Sequence, residues 1–380
     1  MLQRDQRVHR KRDAQPPGRI TGRGENGSLA RAAAVSIALL TAVCAVSAGS
    51  ASELSELFDR VDPAVVEIAT VSQTIPARGA VQPTRTGGLG SGFLISDDGL
   101  IMTAAHVVQL AEDVAVRWVT GDVSPAVIVS SNPGVDVALI RAESVPASVD
   151  PVVLADSDRV RVGDQVFVIG APMSYAHSLS VGHIGARRAP GDVFGGLDPV
   201  ELLQTDAAIN EGNSGGPMFN MDGEVIGVVS HILSKSGGSQ GLGFVVTSNV
   251  ARAEVLDEKP FWSGLEGFRL DGWWAEVFNV PQGSGILIER VVAGSAAAVI
   301  GLQPGSYRAE IEGRRLVVGG DVILAVQGIP VGSDRFAAKV REAVDALGDD
   351  GLLELKVLRS GTVISLTRPI GELRPPVTVD

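Results

Sequence analysis

Residues 204–217 read QTDAAINEGNSGGP, and a serine, Ser214, lies between glycines in this segment. A hydroxyl nucleophile needs such surroundings, because nearby backbone N–H groups must point at the oxyanion that develops during the reaction. Gly212 lets the peptide units around Ser214 turn inward without a Cβ clash, and Gly215 and Gly216 keep the approach open. Glycine-rich serine turns are also common in loops. The motif therefore predicts a nucleophile only if a base and an orienting acid lie elsewhere in the chain.

His106 is the best candidate for the base among the five histidines of the chain. It follows two short β-rich runs, residues 90–95 and 101–103, which are joined by Asp98-Gly99. An Asp-Gly pair between apolar runs indicates a hairpin, and the two alanines before His106 are too small to block its ring. A lone histidine usually has no catalytic role, so the assignment depends on whether an orienting acid accompanies His106 and the serine nucleophile.

Asp136 is the candidate for the acid, because it lies in the otherwise apolar run GVDVALIR, residues 134–141. A carboxylate inside such a strand is costly unless a partner satisfies it. The alternative, an aspartate that bonds to local backbone, better suits Asp156, Asp158 and Asp164, which lie among turn residues. The order of base, acid and nucleophile along the chain is the one found in chymotrypsin-like proteases.

Several segments carry a resemblance to one protease family; they cover residues 90–93, 103–108, 136–140, 154–158, 162–164, 204–217, 223–228 and 241–246. On these segments the chain resembles the HtrA/Deg family of serine proteases with a PDZ domain. The resemblance implies a chymotrypsin-like double β-barrel with the triad His106, Asp136 and Ser214 between the barrels. Glu211 stands where the family often has proline or a basic residue, which is a variable position.

The oxyanion hole is predicted at the N–H groups of Gly212 and Ser214, with Asn213 as a further candidate. His106 would remove the Ser214 proton, Asp136 would hold the imidazole tautomer, and water would cleave the acyl-enzyme. This chemistry needs no metal and no cofactor, and none is predicted.

The primary specificity pocket is predicted to be apolar. In chymotrypsin-like enzymes its base is the residue six before the nucleophile, which is Ala208 here, so no carboxylate is present to pair with a substrate Lys or Arg. The walls are expected from two segments, and the candidate residues are Val229, Ser230, His231, Leu242 and Phe244. We therefore expect cleavage after small to medium aliphatic residues such as Val, Ala or Leu.

Short β-rich runs with regular turn signals predict a mainly β protease domain over residues 52–258. A helix over residues 249–257, capped by Ser248, is expected to close it. Residues 264–372 resemble a PDZ domain, a small α+β fold that captures C-terminal peptides by adding them to a sheet edge. The peptide carboxylate is predicted to bind the loop Gly283-Ser284-Gly285-Ile286.

Two features of this C-terminal part depart from the family pattern or have no assigned role. Residues 306–318 form an insertion, which we interpret as a hairpin with its turn at Glu312-Gly313. Trp273 and Trp274 could cover the peptide groove or could belong to the core of a domain interface, and the sequence favours neither.

Residues 1–51 predict export. They hold eight Lys and Arg against three Asp and Glu, and the apolar run 32–48 is followed by small residues, which is typical of a signal peptide. The alternative is a retained anchor that associates with the membrane through residues 32–48. Cys44, the single cysteine, lies in this run, so a cleaved chain could form neither a disulfide nor a thiolate metal site.

The remaining chain carries a net charge near −17, since the total is −12, and an acidic body argues against nucleic-acid binding. The expected location is the bacterial periplasm. The favoured function is an endopeptidase that degrades unfolded or damaged extracytoplasmic proteins in quality control and the stress response. The alternative is a chaperone or peptide-binding adaptor with a dormant protease site. The resemblance also implies a homotrimer.

Overall fold

The computed structural model describes residues 53–74, 84–171, 177–190, 200–210, 212–232, 240–258, 260–348 and 350–373. The predicted signal peptide or anchor, residues 1–51, lies outside these ranges, as does Glu211. A helix, α1, covers residues 53–61 and leads into a 3-10 turn, Asp62–Ala64. Within the described ranges, no helix is both long enough and apolar enough to cross a membrane.

Six antiparallel strands form a first closed barrel in the order β1-β2-β3-β6-β5-β4. They are β1 (Val65–Thr74), β2 (Thr84–Leu94), β3 (Leu100–Thr103), β4 (Asp113–Arg117), β5 (Val123–Asn132) and β6 (Val137–Ala142). A one-turn helix, α2 (Ala105–Val108), follows β3. The hairpin predicted at Asp98-Gly99 is confirmed, because β2 pairs with β3 and Gly99 takes a φ of +84°, which glycine adopts at little cost.

A second closed barrel has the order β10-β11-β12-β9-β8-β7. Its strands are β7 (Gln165–Gly170), β8 (Ser178–Arg188), β9 (Leu202–Thr205), β10 (Pro217–Phe219), β11 (Val225–Ile232) and β12 (Gly243–Thr247). The predicted mainly β, double-barrel protease fold is therefore confirmed. Helix α3 (Ser248–Ala251) follows and continues as a π-helix, Arg252–Asp257. The predicted cap is wrong: Thr247 occupies the N-cap position, and the Ser248 hydroxyl donates to the Ala155 carbonyl.

The two barrels share a continuous apolar contact. The core of the first barrel extends to buried residues on the near wall of the second, among them Phe167 and Phe219, whose rings stack at 5.0 Å. The interior of the second barrel is a separate cluster that includes Val229 and Val245. Because the contact between the barrels is dry and well packed, the loops that meet there are held in fixed positions.

The C-terminal unit is a sheet in the order β13-β14-β17-β19-β20, with β18 added to β17. Its strands are β13 (Leu265–Asp271), β14 (Ser284–Val291), β17 (Val322–Val326), β18 (Ile329–Pro330), β19 (Leu352–Arg359) and β20 (Thr362–Pro369). Its helices are α4 (Trp273–Val277), α5 (Ala296–Ile300), α6 (Phe336–Asp345) and α7 (Ile370–Leu373). Strand β13 pairs only with β14 among the described strands, so its other edge is open.

The insertion forms the predicted hairpin, β15 (Tyr307–Ile311) and β16 (Arg314–Val318), with its turn at residues 312–313. The Arg314 guanidinium lies 4.3 Å from the centre of the Phe268 ring on β13. Trp274 packs edge-on against the same ring at 5.1 Å, which makes it part of the core of this unit. Trp273 is half exposed and contacts Trp274.

A buried ion pair ties the sheet of the C-terminal unit together. The Asp321 side chain is 1% exposed and accepts two hydrogen bonds from the Arg359 guanidinium, both at 2.7 Å. The backbone N–H of Gln303 donates to the same carboxylate at 2.9 Å. Since a buried carboxylate is costly without such partners, this pair links β17, β19 and the segment after α5.

One glutamine connects the first barrel to the C-terminal unit. Gln109 follows α2 directly, and its amide nitrogen donates to the Ser263 hydroxyl at 2.9 Å and to the Leu265 carbonyl at 3.2 Å. Its side-chain oxygen accepts from Ser131, and its carbonyl accepts from the indole of Trp262, at 2.8 and 2.9 Å. The residue is buried, so these bonds replace water and join α2 to the start of β13.

Candidate active site

His106 is held against Asp136 by three contacts. Its Nδ1 lies 2.9 Å from each carboxylate oxygen of Asp136, and its backbone N–H donates to Oδ1 at 3.0 Å. The backbone bond orients the one-turn helix α2, and in the side-chain bond the proton stays on Nδ1, which donates to the carboxylate. The second ring nitrogen is thereby left as the basic one, which is the arrangement that a general base requires.

Asp136 precedes β6, which begins at Val137, so the expectation that it lies inside the strand is wrong. Its φ of +58° is in the left-handed region, which aspartate tolerates better than most residues. This conformation turns the side chain towards α2. The carboxylate also accepts a short hydrogen bond from the Ser230 hydroxyl on β11 of the second barrel, so that donors from both barrels satisfy it.

The electrostatics of the pair favour its charged form. Burial raises the pKa of Asp136, but the hydrogen bonds and charge of His106 and the Ser230 hydroxyl together hold that pKa below its usual value. Partial burial lowers the pKa of His106, yet the hydrogen bond and the charge of Asp136 outweigh this effect and raise the pKa above 6.5. A base with such a raised pKa accepts a proton readily near neutral pH.

Ser214 lies in a tight turn that Ser91 on β2 holds in place. The Ser91 N–H donates to the Ser214 carbonyl at 2.8 Å, and the Ser91 hydroxyl donates to the Gly212 carbonyl at 2.7 Å. Gly212 and Gly215 have φ values of +100° and +82°. A Cβ at Gly215 would lie 2.2 Å from Thr103 Oγ1 and 2.3 Å from the Ser91 carbonyl oxygen, so only glycine fits there. The sequence showed no direct signal for the role of Ser91.

Two backbone N–H groups of this turn are the candidates for an oxyanion hole. Within the described part of the chain, the N–H groups of Gly212 and Ser214 have no hydrogen-bond acceptor. The N–H of Asn213, by contrast, donates to the Asn210 carbonyl at 3.0 Å. The conformation seen here therefore offers Gly212 and Ser214 as donors and engages Asn213 in the turn.

The Ser214 hydroxyl donates to the backbone carbonyl of Ser230 at 3.3 Å. No hydrogen bond joins it to His106 among the described contacts. Ser230 thus bonds to the candidate nucleophile through its carbonyl and to the candidate acid through its hydroxyl. The sequence suggested Ser230 only as a pocket wall, because nothing in the linear spacing shows that β11 of the second barrel reaches Asp136 of the first.

The other predicted pocket residues lie in different environments. Val229 is fully buried in the interior of the second barrel, so it cannot line a pocket, and that part of the prediction is wrong. Ala208 is exposed and Leu242 is 39% exposed. Phe244 is buried, and His231 stacks on it with ring centres 5.7 Å apart. Since the Phe244 side chain is only 2% exposed, it does not line a pocket in this conformation either, and Ala208, His231 and Leu242 stay candidates.

The predicted carboxylate-binding loop lies largely within strand β14. Ser284, Gly285 and Ile286 belong to β14, which pairs with β13 on one side and β17 on the other. Ile286 pairs with Arg269 on one side and Ile323 on the other, so a peptide cannot add to the sheet there, whereas Ser284 and Gly285 pair with β13 alone. Gly283 lies in the turn before β14, and its N–H donates to the Val280 carbonyl at 3.1 Å.

Comparisons with known proteins agree with this geometry. The trypsin-like peptidase domain family matches residues 90–228. A probable periplasmic serine endoprotease, DegP-like, from Pseudomonas putida (strain GB-1) is 35% identical over 294 residues, which is 75% of this chain and 56% of the relative. A protein of the same name from Halomonas elongata is 37% identical over 295 residues, again 75% and 56%. The chain thus spans about half the length of the curated relatives that it matches.

A solved structure points the same way. A variant of the HtrA-type protease AlgW with a decapeptide superposes with a TM-score of 0.51 at 27% identity, over 86% of this chain and 99% of that one. Two closed barrels with a His–Asp pair and a serine where they meet define the chymotrypsin-like serine protease class. Within that class, the chain is similar to proteases of the HtrA/Deg type.

Proposed function

We propose that the protein is a serine endopeptidase with the triad His106, Asp136 and Ser214. One observation carries this proposal: Asp136 accepts hydrogen bonds from both His106 and Ser230, and the carbonyl of Ser230 holds the Ser214 hydroxyl. Acid, base and nucleophile thus belong to one hydrogen-bonded group that joins the two barrels. A structural role alone would not explain a partly buried carboxylate that orients an imidazole and accepts from Ser230, the residue that also holds a serine hydroxyl.

The reaction follows from these positions. The Ser214 hydroxyl turns from the Ser230 carbonyl towards His106, which takes its proton as Oγ attacks the scissile carbonyl carbon. The N–H groups of Gly212 and Ser214 stabilise the oxyanion, and each such donor lowers the barrier by about 3–4 kcal/mol. His106 then protonates the leaving amine. Water, deprotonated by the same imidazole, releases the acyl group and restores the serine.

The proposed substrates are unfolded or damaged proteins of the bacterial periplasm. The relatives are named periplasmic serine endoproteases, and residues 1–51 have the pattern of an export signal. Exposed Ala208 supplies no negative charge to a pocket, and Leu242, which is 39% exposed, is apolar. These features support cleavage after small to medium aliphatic residues.

The C-terminal unit is proposed to be a PDZ domain that binds peptides for regulation or substrate capture. The open edge of β13 supports peptide binding by strand addition. An apolar groove of about 510 Å³ lies between α6 and the sheet, and Leu265, Phe336, Val340 and Leu355 contribute to its lining. The solved relative AlgW carries a decapeptide. A homotrimer is proposed on the family resemblance, and light scattering tests it.

Digestion of an unfolded protein such as reduced casein tests the endopeptidase. Ser214→Ala is expected to lower kcat by about 10⁶-fold, while Asp113→Asn, at an exposed carboxylate outside the proposed triad, leaves it unchanged. The contact of Ser214 with Ser230 also suits an adaptor whose protease site is dormant. That alternative predicts negligible cleavage by the wild type and equal suppression of aggregation by wild type and Ser214→Ala.

A further inference from the structure

A second histidine, His231, contacts the catalytic group through Ser230. The His231 Nδ1 lies 2.7 Å from the Ser230 hydroxyl oxygen, which in turn makes the short hydrogen bond to Asp136 Oδ2. The contacts run in series from His231 through Ser230 and Asp136 to His106. Both outer members are imidazoles, and the two inner members lie on different barrels.

The number of protons in this series determines the direction of each bond. The pKa of Asp136 lies below its usual value, so near neutral pH the group is a carboxylate, which can only accept. Ser230 has one hydroxyl proton, and the contact with Asp136 uses it. The Ser230 oxygen can then only accept from His231, which requires a proton on His231 Nδ1. The opposite arrangement would leave two acceptor oxygens in contact with no proton between them.

A β-bulge explains how neighbouring side chains come together. On β11, Val229 pairs with Val245 and His231 pairs with Phe244, so Ser230 is an extra residue without a partner on β12. A bulge redirects side chains that would otherwise alternate between the two faces of the strand. Val229 points into the barrel interior, Ser230 reaches Asp136, and the His231 ring stacks on Phe244 with an angle of 24° between the planes.

We propose that His231 is a positioning residue of the catalytic centre: its Nδ1–H donates to Ser230 and so directs the Ser230 hydroxyl onto Asp136. This inference rests on the proposed endopeptidase function. A donor on the Ser230 oxygen strengthens the bond that Ser230 makes, because hydrogen bonds in series polarise one another. The carboxylate is then restrained with both oxygens towards His106. Without that donor, the Ser230 hydroxyl is free to turn away, and Asp136 loses one of its donors.

The protonation state of His231 tests the proposal independently of any peptidase activity. Long-range ¹H–¹⁵N correlation spectra of the full chain labelled at histidine identify the protonated nitrogen of each ring. The His231 signals are assigned by their loss in His231→Phe. We expect the proton on Nδ1 at neutral pH. A His231 ring protonated only at Nε2 would overturn the proposal, whether or not the protein cleaves peptides.

Kinetics of two variants separate the donor from the ring. His231→Phe keeps an aromatic ring on Phe244 and removes the donor, whereas His231→Asn keeps an N–H group near the position of Nδ1 and removes the ring. We expect kcat to fall about tenfold in His231→Phe, the effect of one lost hydrogen bond, and to stay within about threefold of the wild type in His231→Asn. An equal change in KM in both variants would show that the His231 ring also contributes to substrate binding in the pocket, and it does not affect the comparison of kcat.

Equal kcat values in the two variants would overturn the positioning role. If the wild type itself fails to cleave casein, the proposed function fails, while the spectra still decide the direction of the bond between His231 and Ser230.

Discussion

The Ser214 hydroxyl lies 3.3 Å from the carbonyl oxygen of Ser230 and donates to it, although His106 stands ready as a base beside Asp136. The pair His106–Asp136 is thus assembled, while the bond between nucleophile and base is not. A rotation about the Cα–Cβ bond of Ser214 would exchange the Ser230 carbonyl for the imidazole. The Ser230 carbonyl would then be free to accept from a substrate N–H group.

We therefore expect peptide ligands to raise the reactivity of Ser214. A fluorophosphonate probe should label the wild type slowly, and faster after addition of peptides with hydrophobic C-termini. The reason is that a bound peptide shifts the population towards the conformation in which the Ser214 hydroxyl faces His106. Labelling is followed by mass spectrometry of the peptide that contains Ser214, with Ser214→Ala as the blank. A labelling rate that is rapid and independent of peptide would contradict the expectation.

The acid limb of the pH profile should report His106. Only neutral imidazole accepts the serine proton, and the charge and hydrogen bond of Asp136 raise the pKa of His106 despite partial burial. Activity should therefore fall as the pH drops through a midpoint above the ordinary histidine value of 6.5. Plots of kcat/KM against pH give this midpoint for the free enzyme. A midpoint below 6.5 would show that burial outweighs the carboxylate.

Replacing Asp136 by asparagine should show how much of kcat depends on the negative charge of this side chain rather than on its volume. Asp136→Asn tolerates the φ of +58° and keeps the side-chain volume, so the chain should fold. It should lower kcat by about 10⁴-fold, because the amide favours the wrong imidazole tautomer, and it should move the acid limb to lower pH. Asp113→Asn changes an exposed carboxylate, 63% accessible, and serves as the control. Unchanged kcat in Asp136→Asn would exclude Asp136 as the orienting acid.

Gly215 should tolerate no side chain. A Cβ there would lie 2.2 Å from Thr103 Oγ1, in addition to the positive φ of +82°. Gly121 has a similar φ of +89°, but a Cβ there meets nothing within 4 Å. Gly121→Ala should therefore cost only the strain of a side chain in the left-handed backbone conformation, about 1–2 kcal/mol of unfolding free energy. Gly215→Ala should cost about 1–3 kcal/mol more, because its Cβ also clashes. Urea denaturation of both variants measures the difference, and equal losses would refute the steric explanation.

The ion pair of the C-terminal unit should be essential to its stability. Arg359→Met leaves the Asp321 carboxylate buried without its guanidinium partner, and we expect a loss of about 3–5 kcal/mol. Arg269→Met removes an arginine from an exposed pair with Asp271, which should cost under about 1 kcal/mol. Denaturation followed by tryptophan fluorescence compares the two. Equal effects would mean that the Asp321 carboxylate finds other partners.

The three triad candidates could be predicted because they depend on local signals: the Asp98-Gly99 hairpin, the serine turn and the order of His106, Asp136 and Ser214. The double barrel was expected from the family resemblance. The sequence did not predict contacts that form only when the barrels pack. Ser230 illustrates this limit, since its role depends on a bulge in β11 and on the approach of Asp136 from the other barrel.

The same limit explains the other errors. Val229 was assigned to the pocket as one residue of a mostly apolar wall segment, and the bulge that decides which residues of this segment face the interior has no sequence signature. The glycine-rich run 283–286 has the composition of an anion-binding loop, yet its residues 284–286 pair with β13, and Ile286 also pairs with Ile323 of β17.

Gln109 gives the molecule a mechanical property. Gln109 lies three residues after His106 in the sequence. Its side chain bonds to Ser263 and Leu265, and its carbonyl bonds to Trp262, at the start of β13. Separation of the C-terminal unit from the barrel would strand buried polar atoms at about 1–3 kcal/mol each. The junction is therefore held rigidly. A peptide strand that binds the open edge of β13 and shifts it would also shift Gln109, and with it helix α2, which carries His106.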